Sequence, residues 1–294
     1  MIVTKKPTVA VLMTAFNGMR WIEEQVNSIL NQVGVTVTLF VSVDVSDDGT
    51  ADWVKQLSGR LDNVVMLPYG QCYGGAGPNF LRLVRVVDFT GFDAVAFADQ
   101  DDIWFDSKLE RACSFIAAGR CDVYSSNVMA VWPDGKQKLI NKAFKQKKYD
   151  HFFEAAGPGC TYVFSRSAMQ AFQSFLYHAA HKANSIALHD WLAYAFCREA
   201  GYVWLLDAQP SMLYRQHERN QVGINRGFSA YLKRFRLLHA KWYRSQVMAI
   251  TQLVAPRYSE RFQSRIFILS NVFSLRRRTT DCLLLMCFTL FGFY

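Results

Sequence analysis

The sequence predicts an α/β protein in which a mostly parallel sheet is flanked by helices and followed by a C-terminal helical extension. Up to Gly119, four short apolar segments alternate with segments whose apolar residues recur at helical spacing. Strands that alternate with helices form right-handed βαβ units, and their strands lie parallel in one sheet. Three of the four apolar segments also end in polar or acidic turns. The carboxyl edge of the sheet should therefore form a ligand-binding crevice lined by polar side chains.

The elements of this sheet can be placed in order along the chain. The strands are expected at residues 8–13, 35–43, 64–67 and 94–98. The first helix is indicated by residues 22–30, whose apolar positions fall at i, i+4, i+7 and i+8. Thr50 or Asp52 is expected to cap the second helix. Pro78 suits the first turn of the third helix.

The pattern changes after the fourth helix, which is expected to open at Asp106 or Ser107. Residues 122–140 resemble a hairpin around the turn Pro133-Asp134-Gly135. The glycine-rich loop at 157–159 leads into another strand. The later elements are a helix from Ser167, a helix from His189 and a strand at 202–206.

The composition limits the class of protein. With 51% hydrophobic and 19% charged residues, the 294-residue chain is globular. Its seven cysteines form no C-x-x-C pattern, which favours a reduced, cytosolic compartment. The apolar run after Lys6 is too short for a secretion signal, and no run approaches the roughly 20 residues of a membrane-spanning helix. We therefore expect a cytoplasmic protein.

The stretch after the fourth strand indicates a specific chemistry. Asp99, Asp101 and Asp102 crowd its carboxyl end, where like charges repel and a cation would offset them. The divalent cations Mg²⁺ and Mn²⁺ prefer oxygen ligands, and they also bind diphosphates. Residues two apart in an extended segment project to one side, so Asp99 and Asp101 can serve one ligand. The alternative is a solvated acidic turn that caps the following helix.

Five motifs occur in a fixed order along the chain. They are Thr-Ala-Phe-Asn-Gly at 14–18, Ser-Asp-Asp-Gly-Thr at 46–50, Asp-Gln-Asp-Asp-Ile-Trp at 99–104, His-Asp-Trp at 189–191 and Tyr-Arg-Gln-His at 214–217. As an ordered set they resemble family 2 glycosyltransferases, which have the Rossmann-like GT-A fold. The resemblance is greatest to bacterial rhamnosyltransferases that build lipopolysaccharide or O-antigen, and it extends over about residues 7–225.

The resemblance implies a role for each motif. The donor nucleotide sugar would be bound by Thr14, Ala15, Phe16, Asn17, Asp47, Asp48, Asn79, Asp99, Gln100 and Asp101. Asp101 and His217 would hold a divalent cation, and Asp190 would act as the general base. The acceptor would lie near Gly159, Cys160 and Trp191. Residues 71–77 lack the asparagine-x-glycine form that is usual in the family, so no donor contact is assigned to them.

The implied reaction is an inverting, metal-dependent transfer of L-rhamnose from dTDP-L-rhamnose to a hydroxyl of a lipopolysaccharide core or O-antigen acceptor. A carboxylate base takes the proton of the attacking hydroxyl, and the cation stabilises the leaving diphosphate. The same fold also serves UDP-hexose and UDP-N-acetylhexosamine donors. A non-catalytic carbohydrate-binding or scaffold protein would also fit such a sheet. So would a nucleotidyltransferase, although no G-x-G phosphate loop of that kind is present.

Several of these residues also have a structural interpretation. Asp47 and Asp48 could end a strand and cap a helix. Asp190 could be the N-cap of a helix at 191–200, a role that is compatible with pointing into a cleft. His217 could be a structural histidine, since a single histidine is weak support for a metal site.

Residues 1–227 are expected to form the catalytic domain, and residues 228–294 a basic helical tail. The tail holds eleven Lys or Arg and two Asp or Glu, which accounts for the whole net charge of +9. An apolar stripe with basic neighbours runs from Phe228 to Trp242, and three arginines at 276–278 precede an apolar run. This pattern predicts peripheral attachment to the anionic cytoplasmic face of the inner membrane, where a lipid-linked glycan acceptor would lie. The alternative is that the stripe packs on the catalytic domain. No nucleic-acid-binding module is indicated.

Overall fold

The computed structural model describes residues 5–183, 186–217 and 242–294, without the side chains of residues 180 and 181. The strands are β1 (Thr8–Ala15), β2 (Thr36–Val43), β3 (Val64–Met66), β4 (Ala94–Ala98), β5 (Ile103–Trp104), β6 (Val123–Val131), β7 (Gln137–Ile140), β8 (Val163–Ser165) and β9 (Trp204–Arg215). The helices are α1 (Ile22–Leu30), α2 (Thr50–Ser58), α3 (Ala76–Val86), α4 (Lys108–Ala117), α5 (Asp150–Phe153), α6 (Arg166–His178), α7 (Ala180–Ala183), α8 (His189–Glu199), α9 (Trp242–Val254), α10 (Ser259–Gln263), α11 (Arg265–Leu275) and α12 (Thr279–Leu290). The strands form one sheet in the order β3-β2-β1-β4-β8-β6-β9-β5, with β7 paired to β6.

The N-terminal half of the sheet is parallel, which confirms the sequence prediction. β1 pairs in parallel with β2 and β4, and β2 pairs in parallel with β3. Alternate residues of β1 enter two different apolar clusters: Leu12 packs with Phe80 and its neighbours, and Val11 with Val26 and its neighbours. The strand is therefore buried on both faces, as expected for a parallel sheet between helical layers. The carboxyl ends of β1, β2 and β4 meet at one edge.

The second half of the sheet brings two further segments to this edge. β8 runs antiparallel to β4 with Val163 opposite Ala96, and the Phe97 amide donates to the Tyr162 carbonyl at 3.1 Å. The 3₁₀ turn Gly159–Thr161 consequently lies beside the end of β4. β9 is longer than the predicted strand at 202–206, because it pairs with β6 from Trp204 to Arg215 and also with β5 at Met212 and Leu213. Its length carries the chain back toward the acidic loop after β4.

Two helix starts differ in detail from the prediction. Helix α2 begins at Thr50, and neither Thr50 nor Asp52 caps it. The carboxylate of Asp48 accepts the Thr50 N–H at 3.0 Å instead. Asp48, which precedes Gly49, therefore caps this helix. Helix α8 begins at His189, which places Asp190 in the first turn and not at the N-cap.

The helices that follow Trp242 pack against the sheet and its covering helices. Ile250 of α9 and Leu285 of α12 lie in the same apolar cluster as Phe80 and Trp191. The C-terminal segment therefore shares a hydrophobic core with the segment that carries the predicted base. No helix within the described ranges is long and apolar enough to cross a membrane. Most of the predicted basic stripe, residues 228–241, lies outside the described residues.

The arginines at 276–278 were expected to face anionic lipid, and two of them do not. Arg277 is buried, and its backbone and guanidinium bind the carboxylate of Glu154. Arg276 donates to the Phe153 carbonyl at 2.9 Å and lies 3.4 Å from Asp281. Of the three, only Arg278 is exposed. The expectation is therefore wrong for Arg276 and Arg277, because acidic and carbonyl groups of the folded chain hold them inward.

Candidate active site

The acidic loop after β4 meets the chain beyond β9 at a histidine. The Nε2 of His217 lies 2.7 Å from Oδ2 of Asp101. The imidazole also stacks on Trp21, with ring centroids 4.1 Å apart. The side chains of His217 and Asp101 keep 12% and 15% of their surface exposed, so the pair can be reached from the cleft. The structure thus brings together the two residues that were predicted to hold a cation.

The neighbouring carboxylates are poorly compensated. Asp102 is fully buried, and neither of its oxygens has a hydrogen-bond partner within the described part of the chain. Ligand atoms of Asp99, Asp102 and Cys160 lie within 4.8 Å of one another. Burial raises the pKa of Asp99 to about 7, and the charges of Asp101 and Asp190 add to this effect. Burial also raises the pKa of Asp102 well above its usual range.

A single buried lysine lies behind this cluster. Lys108 donates from Nζ to the Cys160 carbonyl at 2.5 Å, and its ammonium lies 3.3 Å from the centroid of the Trp104 ring. Burial lowers the pKa of Lys108 to about 7, so its positive charge only partly offsets the carboxylates. The carboxylates of the acidic loop and the imidazole of His217 are groups that can bind a divalent cation such as Mg²⁺ or Mn²⁺. The two buried oxygens of Asp102, which lack a hydrogen-bond partner within the described residues, fit the same use.

Asp190 lies on the same side of the sheet edge as the acidic loop. Its Oδ1 accepts the Trp191 N–H at 2.7 Å. Gly159 lies against Asp190, and the ligand atoms of its neighbour Cys160, Asp99 and Asp102 lie within 4.8 Å of one another, so one turn contacts both Asp190 and the acidic loop. Burial raises the pKa of Asp190 itself to about 6, against the opposing effect of the N–H groups of Trp191 and Gly159. A carboxylate with such a pKa is ionised at neutral pH and basic enough to accept a proton.

The turn at Gly159 closes the cleft beside Asp190. A methyl group added at Gly159 would lie 2.9 Å from Cβ of Asp190 and 3.0 Å from Nε2 of His189. Only glycine therefore leaves both side chains in place. The His189 ring stacks on Phe80 with centroids 4.0 Å apart, and burial lowers its pKa to about 3. His189 is consequently a neutral neighbour of the predicted base.

The loop after β1 is tied to the acidic loop by an amide. Oε1 of Gln100 accepts the Phe16 N–H at 2.8 Å, and Nε2 of Gln100 donates to the Phe16 carbonyl at 2.9 Å. The next residue, Asn17, accepts the Asp47 N–H at 3.0 Å and so connects this loop to the loop after β2. The side chains of Phe16 and Asp47 remain exposed at the edge of the sheet. The structure thus gathers four of the predicted donor-binding residues at one place.

Asp48 has a structural role in the same region. Its carboxylate accepts N–H groups of Met19 and Thr50, both at 3.0 Å. Burial alone would raise the pKa of Asp48, but the hydrogen bonds from Thr50 and Met19 outweigh it and lower the pKa. Asp48 therefore shapes the loops while its neighbour Asp47 stays free to reach solvent.

Other predicted site residues are buried behind the cleft. Thr14 and Ala15 end β1 with little exposed surface. Asn79 accepts from the Ser42 hydroxyl and donates to the Ser42 carbonyl at 3.0 Å. Trp191 donates from Nε1 to the His151 carbonyl at 3.0 Å, and Cys160 is likewise buried. These side chains form the walls of the cleft, and direct ligand contacts by them remain predictions.

The fold and these motifs can be compared with known proteins. The family model described as Glycosyltransferase like family 2 matches residues 7–233. The chain belongs to this family. This glycosyltransferase is 39% identical over 276 residues to the dTDP-rhamnosyl transferase RfbG of Shigella flexneri, which covers 92% of this chain and 96% of that protein. It is 25% identical to the UDP-Glc:alpha-D-GlcNAc-diphosphoundecaprenol beta-1,3-glucosyltransferase WfgD of Escherichia coli, over 56% of this chain and 62% of that protein.

Solved structures of glycosyltransferases share the fold. S. aureus TarS 1-349 in complex with UDP-GlcNAc superposes with a TM-score of 0.60 at 15% identity, over 97% of this chain and 80% of that chain. The mannosyltransferase PcManGT from Pyrobaculum calidifontis, in complex with GDP-Man and Mn²⁺, gives a TM-score of 0.54 at 14% identity, over 99% of this chain and 82% of that chain. The GT-A fold that the motifs indicated is thereby confirmed.

Three polar residues of the glycosyltransferase site were missed by sequence reasoning. Besides Lys108, these are the buried Gln25, which donates to the Asp99 carbonyl at 2.9 Å, and Asp44, which accepts the Tyr73 N–H at 2.9 Å. The burial of Lys108 could have been predicted from its spacing, because it lies four residues before Ala112 on the apolar side of α4. No feature of the sequence indicates the roles of Gln25 and Asp44, since buried hydrogen bonds to the backbone leave no sequence pattern.

Proposed function

We propose that this glycosyltransferase moves L-rhamnose from dTDP-L-rhamnose to a hydroxyl of a lipopolysaccharide core or O-antigen acceptor, with inversion at the anomeric carbon. The observation that carries the proposal is the turn at 159–160, which packs against Asp190 through Gly159 and lies beside Asp99 and Asp102 through Cys160. A base and a donor-binding loop in one cleft are the parts that an inverting transfer needs. The choice of rhamnose is supported by the 39% identity to a dTDP-rhamnosyl transferase over nearly the whole chain.

The donor diphosphate would be held at the acidic loop together with Mg²⁺ or Mn²⁺. Asp101 and His217 would be the cation's ligands from the protein, with Asp99 and the unpaired oxygens of Asp102 close by. When bound, the cation supplies positive charge that stabilises the leaving diphosphate. The loops of Phe16 and Asp47, joined through Asn17, would receive the nucleoside.

Asp190 would take the proton from the acceptor hydroxyl as that oxygen attacks the anomeric carbon. The Trp191 N–H, 2.7 Å from Oδ1, fixes the orientation of the carboxylate. The backbone of Gly159 packs closely against both Asp190 and His189 and would bound the acceptor space on that side. Trp191 and Cys160 would form the wall behind that space.

Transfer with purified protein tests the donor and the base. We expect release of dTDP from dTDP-L-rhamnose with Mn²⁺ and a synthetic O-antigen oligosaccharide. UDP-glucose, the donor in the name of the more distant relative WfgD, should be turned over at least 100-fold more slowly. Faster turnover of UDP-glucose would remove the rhamnosyl claim. Asp190→Asn should abolish transfer, whereas Asp134→Asn, in an exposed turn, should not.

Attachment to the cytoplasmic face of the inner membrane is part of the proposal. Helix α12 and the residue after it expose an apolar face formed by Leu283, Leu284, Leu290 and Phe291. The guanidinium of Arg265 lies beside Gly292, next to this face. An apolar helix face with an adjacent basic residue is suited to the boundary of an anionic bilayer, where a lipid-linked acceptor would lie.

Flotation with vesicles of phosphatidylglycerol and phosphatidylcholine tests this attachment. The protein should float with vesicles rich in phosphatidylglycerol. The double variant Leu284→Glu and Phe291→Glu should stay at the bottom of the gradient. Val86→Glu, at an exposed position of α3, is the matched control and should float like the unchanged protein. Equal flotation of both variants would contradict the role of α12.

A further inference from the structure

Arg277 connects the C-terminal segment to a loop that leads into the cleft. Its backbone N–H donates to Oε1 of Glu154 at 2.6 Å. Its Nη2 donates to the carbonyls of Ala155 at 2.6 Å and Ala156 at 3.1 Å, and to Oε2 of Glu154 at 3.3 Å. The guanidinium also lies 3.7 Å from the buried carboxylate of Asp150. One side chain therefore fixes three consecutive residues that belong to no helix or strand.

The same loop is fixed a second time beyond Arg277. The hydroxyl of Tyr162 donates to the Gly157 carbonyl at 3.0 Å and accepts the Gly157 N–H at 3.3 Å. Gly159 lies between Gly157 and Tyr162 in the chain, with its backbone against Asp190. The loop from Glu154 to Tyr162 thus reaches the cleft at the residue that contacts the base.

We propose that Arg277 is a positioning residue for the glycosyl transfer, which holds the 154–162 loop so that Gly159 keeps Asp190 in its reactive orientation. The inference depends on the proposed role of Asp190 as the base. Arginine suits the task because its planar fork can donate to several carbonyls at once, whereas lysine has a single ammonium. A displacement of about 1 Å at a reacting group can cost about 100-fold in rate.

The groups that face Asp190 determine which measurement reports this effect. Lys142, the N–H groups of Trp191 and Gly159, the neutral His189, Tyr162 and Asp99 surround Asp190. Of these groups, Gly159 and Tyr162 belong to the loop that Arg277 holds, and of the two Gly159 directs an N–H at Asp190. Loss of the Gly159 N–H should therefore raise the pKa of Asp190 and move the acidic limb of the pH–rate profile upward.

Arg277→Lys tests the proposal through kcat, donor KM and the pH–rate profile. We expect kcat to fall at least tenfold, the donor KM to stay within twofold, and the acidic limb to move upward by at least 0.3 pH units. Arg278→Lys, at the exposed neighbouring arginine, is the matched control and should retain the original profile. A kcat loss that only follows the loss of folded protein, with an unchanged acidic limb, would show a purely structural role and overturn the inference.

Two further variants separate the possible failures. Glu154→Gln keeps an oxygen for Arg277 but removes the charge, and should give a smaller kcat loss with the same upward shift. If Arg277→Lys does not fold, an unchanged profile for Glu154→Gln refutes the positioning role. Asp190→Asn tests the proposed function itself, because activity in that variant would remove the base. An inactive Asp190→Asn with a normal Arg277→Lys would refute only the inference about Arg277.

Discussion

Replacing Asp190 by asparagine should abolish transfer and also make the folded protein more stable at alkaline pH. Asparagine keeps an oxygen that can accept the Trp191 N–H, so the start of α8 should be preserved. It cannot accept the proton of an acceptor hydroxyl, so the chemical step loses its base. Functional groups that sit at a cost to folding are expected at active sites, and burial of Asp190 is such a cost.

The size of the expected gain in folding stability follows from the raised pKa of Asp190. Burial moves the pKa of Asp190 from its ordinary value of 3.8 to about 6 in the folded protein. An unfolded Asp190 loses its proton near the lower value, so stability is lost as pH rises through this window and the full cost is present above it. Two pKa units correspond to roughly 3 kcal/mol. Because Asp190 is partly exposed, water screens part of this cost, and we expect ~1–2 kcal/mol.

Thermal unfolding at two pH values measures this difference. For a chain of this size, 1 kcal/mol shifts Tm by roughly 2 °C, so Asp190→Asn should melt about 2–4 °C above the unchanged protein at pH 8. At pH 3, below the ordinary pKa of 3.8, the two proteins should melt at nearly the same temperature, since Asp190 is then mostly protonated in both the folded and the unfolded chain. Equal Tm values at pH 8 would refute a buried, ionised Asp190. Retained transfer would refute its role as the base.

Three further outcomes are expected. Gly159→Ala should lower kcat about 10- to 100-fold in a steady-state assay, because the added methyl group displaces Asp190. The control Gly91→Ala adds its methyl group in open space and should be unaffected, and equal activity of the two variants would contradict the tight contact at Gly159. His217→Ala should weaken Mn²⁺ binding about tenfold or more by titration calorimetry, since it removes a predicted ligand, and an unchanged Kd would exclude His217 from the site. The kcat of the unchanged enzyme should rise with pH to a plateau with a midpoint near 6, where Asp190 ionises, and a rate that stays constant down to pH 5 would argue for another base.

The sequence predicts the parallel half of the sheet well because each of its strands is a short run rich in apolar and β-branched residues. It also predicts which motifs meet, since the carboxyl ends of parallel strands share an edge. The length of β9 could not be predicted, because Asp207 and Pro210 interrupt its apolar pattern and the strand depends on pairing with β6 and β5. The contact of Asp101 with His217 follows from that length.

The burial of charged side chains was the other feature that was not predicted from the sequence. Lysine is usually a surface residue, yet Lys108 lies under the acidic loop, and its ammonium donates a hydrogen bond to the Cys160 carbonyl. Arg277 reads as part of an exposed basic cluster, yet it is held by Glu154 and two backbone carbonyls. In both cases the partner is remote in the chain, so only the folded structure shows that the charge is compensated.

The two roles proposed for the C-terminal segment lie close together in the chain. Arg277 binds the loop beside the proposed base, and helix α12 with its exposed apolar face begins at Thr279, two residues later. A bilayer that engages Leu284 and Phe291 would therefore act on a segment directly joined to Arg277, the residue proposed to position Asp190. Because Leu285, on the inner side of α12, packs in the same core as Trp191, the helix is fixed relative to the cleft. Docking on a membrane would consequently set the orientation of the cleft toward an acceptor at the bilayer surface.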